Sequence, residues 1–132
     1  MKQWIRIGIL GLSLVAMFAT GSRAEPEDAM KEFMRAKLKH SQNVLEGLVL
    51  ENYGEVAKNA QEMSLLSLAE QWQVFQTPEY LEYSRKFRNS ADALNAMAKK
   101  KDLAGSTTAF NQLTQRCVEC HKYVRGVRMA AK

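Results

Sequence analysis

Proline and glycine are scarce in this chain of 132 residues, at two and seven. An all-β sandwich needs a turn roughly every ten residues, and that turn chemistry is missing. Two cysteines are too few for a disulfide-rich scaffold or a four-thiolate zinc site. Neither charge sign dominates, with 19 Lys and Arg against 14 Asp and Glu. What is present is ordinary for a globular chain: 46% apolar and 25% charged residues. That balance excludes wholesale disorder and a multi-span membrane protein. The length supports one domain, or one domain behind a targeting segment. The expected class is all-α.

Residues 1–24 read as a signal peptide. Lys2 and Arg6 are followed by an apolar run from Ile7 to Ala19, then Ser22-Arg23-Ala24 as a small-x-small cleavage site. The run is too short to span about 30 Å of hydrocarbon comfortably, so no stable membrane insertion is expected. No cysteine follows it to carry a lipid. Lys2, Arg6 and Arg23 all lie in this leader, and it holds no acid. The net charge therefore falls from +5 for the whole chain to +2 for residues 25–132. So small a surplus gives nucleic acid no basic footprint to bind. Export to a bacterial periplasm is the expectation.

Residues 25–132 carry helical spacing throughout, with three breaks. A first helix opens at Glu25-Pro26-Glu27-Asp28, with proline and acids in the first turn. Met34, Leu38, Ser41, Leu45 and Leu48 follow at 4-3-4-3 spacing as its expected inner stripe. Glu51-Asn52-Tyr53-Gly54 is a break, and a second helix runs from about Glu55 to Phe75. Thr77-Pro78-Glu79 combines an N-cap, a proline at the first helical position and an acid. The third helix then runs to Lys99-Lys100-Lys101, and Asp102 can cap a fourth. Four helices with short connections predict an antiparallel up-down-up-down bundle over residues 25–132. The inner stripes are rich in Ala and Ser, including Ser84, Ala91 and Ala98. Such residues let helices approach closely or leave room for something other than a side chain. Trp72, Phe75, Tyr80 and Tyr83 are expected to close the far end of the bundle.

Cys117-Val118-Glu119-Cys120-His121 holds both cysteines and one of the two histidines in five positions. C-x-x-C-H reads as a c-type haem attachment site. On a helix, residues three apart project from one side, so two thiols can reach two vinyl groups of one porphyrin. His121 lies four beyond Cys117, on the side from which the imidazole can rise to the iron. Phe110, Leu113 and Val124 are expected beside the haem. Two rival readings use the same cysteines. One is a thiol–disulfide pair, although such pairs usually sit at a helix N-terminus after a strand. The other is a metal site, for which no fourth ligand is evident.

With its leader, four helices and C-x-x-C-H-x-x-x-R near the C-terminus, the chain resembles the cytochrome c′ family and its low-spin relatives. The resemblance implies a haem in the bundle core near one end. It implies one covalent haem c on Cys117 and Cys120, His121 as proximal iron ligand, and Arg125 near the haem. It also places the first helix on the distal side of the iron. Met34, about 12 Å in from Pro26, is the expected sixth ligand, with Met30 one turn earlier as the alternative. His40 lies about 21 Å in, beside Lys37 and Lys39, and reads as a surface histidine. Lys31, Arg35, Lys37 and Lys39 read as a solvated basic face, with haem carboxylates or an acidic redox partner as other uses.

The expected function is one-electron transfer through the bound haem to periplasmic redox partner proteins, without enzymatic activity. The alternative is a five-coordinate haem protein that binds NO or CO, as cytochromes c′ do. Pairing of two bundles into a homodimer is compatible with either.

Overall fold

In a computed structural model, the protein is described over residues 26–70 and 76–130. The expected signal peptide lies outside the described residues, as do Trp72 and Phe75. Four helices make up the fold: α1 (Pro26–Val49), α2 (Tyr53–Glu70), α3 (Pro78–Lys99) and α4 (Leu103–Ala130). They form the expected up-down-up-down bundle. α1 packs on α2, α2 on α3 and α3 on α4, whereas α1 meets α4 only sparsely. Among the described residues no helix is long and apolar enough to cross a membrane.

The helix ends follow local chemistry. Tyr80 N–H donates to Thr77 Oγ1 at 3.2 Å, so Thr77 caps α3 as its sequence suggests. The α1–α2 and α3–α4 turns share one design. Asn52 N–H bonds Gly47 O at 2.8 Å and Glu51 N–H bonds Leu48 O at 3.3 Å. The second turn repeats this with Asp102 to Met97 at 3.2 Å and Lys101 to Ala98 at 2.9 Å. These are Schellman closures, with Glu51 (φ 53°) and Lys101 (φ 56°) in the left-handed position that glycine usually fills. The next residue then caps the following helix. Glu55 N–H donates to Asn52 Oδ1 at 3.3 Å, and Gly105 N–H to Asp102 Oδ1 at 2.9 Å.

The close-packed core fills the half of the bundle nearer these two turns. Val44 and Leu48 of α1 meet Val56 and Ala60 of α2, Leu94 and Ala98 of α3, and Ala109 and Leu113 of α4. Ala91 and Ala98 serve close helix approach here rather than making room for a cofactor. The α1 stripe differs from expectation. Leu38 and Leu45 are 60% and 54% exposed, while Val44 is fully buried. The inward ladder is Met34, Lys37, Ser41, Val44 and Leu48, at 3-4-3-4 spacing. His40 is also corrected: it is half-buried on the α1–α2 seam. Its Nδ1 bonds Asn59 Oδ1 at 2.8 Å, and Asn43 Nδ2 donates to the same oxygen at 3.0 Å. Asn59 Nδ2 in turn donates to Glu55 O at 2.8 Å.

Near the first turn α1 and α2 pack tightly at Gly47, where a Cβ would stand 2.9 Å from Val56 Cγ2 and 3.3 Å from Asn52 O. Alanine is the better helix former by about 1 kcal/mol, yet overpacking costs about 1–3 kcal/mol. Gly47→Ala is therefore expected to destabilise the protein by about 1 kcal/mol in urea unfolding. Adding Val56→Ala should relieve the clash, so the two changes together cost less than their sum. Additive effects would show that no close approach exists.

Candidate haem site

At the opposite half of the bundle the helices stand apart and leave a half-enclosed, mostly apolar cleft of about 430 Å³. That volume lies within the roughly 300–1,000 Å³ common for ligand and cofactor sites. α1 supplies Met34, Lys37 and Ser41, and α4 supplies Cys117, Cys120 and His121. α2 gives Met63 and Ser67, while α3 gives Tyr80, Tyr83, Ser84 and Phe87. The site thus gathers residues from both ends of the sequence. It sits in the sparse α1–α4 contact.

The helical register of α4 explains the motif's presentation. Cys117 and Cys120 are three residues apart and both open onto the cleft, with His121 beside them. Neither cysteine is in a disulfide. Burial pushes the Cys117 thiol above its ordinary range, outweighing the opposing pull of the Lys37 charge and a backbone hydrogen bond. A thiol held protonated is poorly suited to disulfide exchange, which needs thiolate. Among the described residues, no three His, Cys, Asp or Glu side chains converge to hold a metal ion. The donor set fits a large apolar group carrying its own metal: two thiols on one side of a helix, an imidazole next to them, and a thioether across the cleft.

Of the two distal candidates, Met34 lines the cleft and Met30 does not. Met30 is half-buried one turn nearer the helix start. Arg125, placed near the haem by the resemblance, is exposed and forms no part of the cleft wall. It lies a turn beyond His121, toward the end of α4. The arginine of α4 that does reach the cleft is Arg116, whose Nη1 bonds Glu119 Oε2 at 2.7 Å. Phe110, Leu113 and Val124 are not among the walls; Leu113 belongs to the core and Phe110 packs against it.

Two of the four aromatic residues expected to close the far end of the bundle, Tyr80 and Tyr83, lie elsewhere. At the start of α3 they wall the cleft instead. Tyr83 also packs against Tyr123 with ring centroids 5.2 Å apart, and Thr77 Oγ1 and Tyr123 OH share a hydrogen bond of 3.0 Å. Also missed were the Ser67–Ser84 hydroxyl pair at 3.1 Å and the inward placing of Lys37. Its Nζ stands 4.6 Å from the centroid of the Phe87 ring. The 3-4-3-4 ladder through Met34 and Ser41 was the available signal for Lys37.

The sequence model of the family described as Cytochrome C' matches residues 68–125. The match spans the end of α2, all of α3 and α4 through the C-x-x-C-H run. No curated protein and no solved structure matches the chain.

The raised Cys117 thiol gives a direct test on chain prepared without haem. Fewer thiolates at neutral pH mean slower alkylation. At pH 7 Cys117 is expected to react with iodoacetamide more slowly in buffer than in urea. Its rate in buffer should climb only above the ordinary thiol range. Peptide mass spectrometry reads both; equal rates in buffer and urea would show an unburied thiol.

Proposed function

We propose that this chain, cytochrome c′-like over residues 68–125, is an exported one-electron carrier working through a single covalent haem c. The observation that carries the reading is the cleft that brings Met34 of α1 together with Cys117, Cys120 and His121 of α4. When bound, the haem supplies an iron that takes up and returns one electron. Cys117 and Cys120 would hold it by thioethers, with His121 on the proximal and Met34 on the distal side. Met63, Tyr80 and Phe87 restrict water at the buried walls, which tunes a redox centre through its surroundings. His121 is itself exposed, so the α4 side stays open to a redox partner. We assign no substrate and no enzymatic step. The leader-like residues 1–24 support a periplasmic location for the working protein.

Covalent attachment is tested by haem staining after denaturing electrophoresis. The stain should stay with the polypeptide and vanish in the Cys117→Ala, Cys120→Ala double variant. A mature protein with a Cys117–Cys120 disulfide and no haem would end this reading.

The distal assignment separates the carrier from a gas-binding protein. Met34→Ala is expected to turn a low-spin ferric spectrum high-spin, admit CO and NO, and lower the midpoint potential, because Met/His ligation raises it. Met30→Ala should leave the spectrum nearly unchanged. A wild type that is already high-spin would favour five-coordinate gas binding, and conversion by Met30→Ala alone would move the ligand one turn.

A further inference from the structure

We propose that Lys37 makes the α1 side of the cleft a subsite for small inorganic anions of the azide, nitrite and cyanide class. The inference rests on the reading that Cys117, Cys120 and His121 hold a haem there.

Lys37 lies on the inward ladder of α1 and is half-buried. Its ladder neighbours Val44 and Leu48 are buried, and Met34 and Ser41 wall the cleft with it. The ammonium lies over Phe87, a ring only 5% exposed. A ring face offsets part of the cost of taking a cation out of water. The charge also acts inside the cleft: it is felt at Cys117 on α4. A charge facing low-dielectric walls acts more strongly than one in bulk water.

The rest of the lining has the same sign. The described residues that wall the cleft include three cations, Arg35, Lys37 and Arg116, and no carboxylate. Arg116 is paired outside with Glu119, and Arg35 is exposed. Lys37 is half-buried on the α1 wall with its ammonium over the Phe87 ring. The Ser41 hydroxyl one turn on, and the Ser67–Ser84 pair beyond, add polar groups to an otherwise apolar lining. An anion entering from the α1 side meets positive charge and hydroxyls; a neutral diatomic gas gains nothing from the charge.

That difference supplies the experiment. Haem-loaded Met34→Ala, ferric, is titrated with azide and followed by absorbance. The same is done for Met34→Ala with Lys37→Gln and for Met34→Ala with Lys37→Arg. A lost charged hydrogen bond predicts about a tenfold rise in the azide Kd for the Gln variant. The Arg variant should recover most of it. CO binding to the ferrous forms should stay within about twofold, since CO carries no charge to pair. Lys37→Gln in the wild-type background, where azide must displace Met34, gives the second measurement and should show the same weakening. Unchanged azide affinity in both backgrounds overturns the proposal and leaves Lys37 to the haem's own carboxylates. Parallel loss of azide and CO affinity also overturns it, as general distortion. A chain that stains for no haem removes the underlying reading as well, and the stain separates that result from loss of the subsite alone.

Discussion

The seam between α1 and α2 carries a polar clamp, His40 and Asn43 on Asn59, set beside a glycine where the two helices nearly touch. A buried amide such as Asn59 is costly unless its bonds are made, so the clamp fixes both the register and the spacing of the pair. With α1 committed to α2, it stands away from α4 over the half of the bundle that lies beyond the core. The cleft follows from that commitment.

Closing the gap would bury little that the protein needs. The core at the opposite half already buries Val44, Leu94 and Leu113 almost completely. The cleft half is built from different material: hydroxyls, tyrosines, a thioether, two thiols and cations on an apolar ground. Division of one bundle into a packed half and a receiving half lets the walls stay in place without close contact across them. Pre-organised walls of this kind reduce the ordering cost when a rigid planar group enters.

Much of this was legible in the sequence because it depended on local chemistry. Thr77-Pro78-Glu79 starts α3 as written, Asp102 caps α4, and the C-x-x-C-H spacing fixes which side of α4 the thiols share. The stripe of α1 was misread for an equally physical reason. Two ladders pass through Met34, Ser41 and Leu48, one by way of Leu38 and Leu45, the other by way of Lys37 and Val44. Hydrophobicity favours the first, and the structure uses the second, because a lysine can face inward where a cavity and an aromatic ring receive it. Tyr80 and Tyr83 went astray through topology. The up-down-up-down order expected from the sequence already brings the start of α3 to the end where α1 begins and α4 finishes, so their place follows from that order and not from any local pattern.

The sparse meeting of α1 and α4 also bears on how the chain finds its fold. Every extensive interface joins consecutive helices, so each can form by closing a short turn with a small entropic loss. The pairing that spans the greatest separation along the chain is also the one given least to do. Low contact order of this sort belongs to fast-folding helical proteins. The long-range part of the architecture is left to the cleft, whose two principal walls come from α1 and α4. Assembly of the scaffold and completion of the site are thereby separated in sequence distance, and in time.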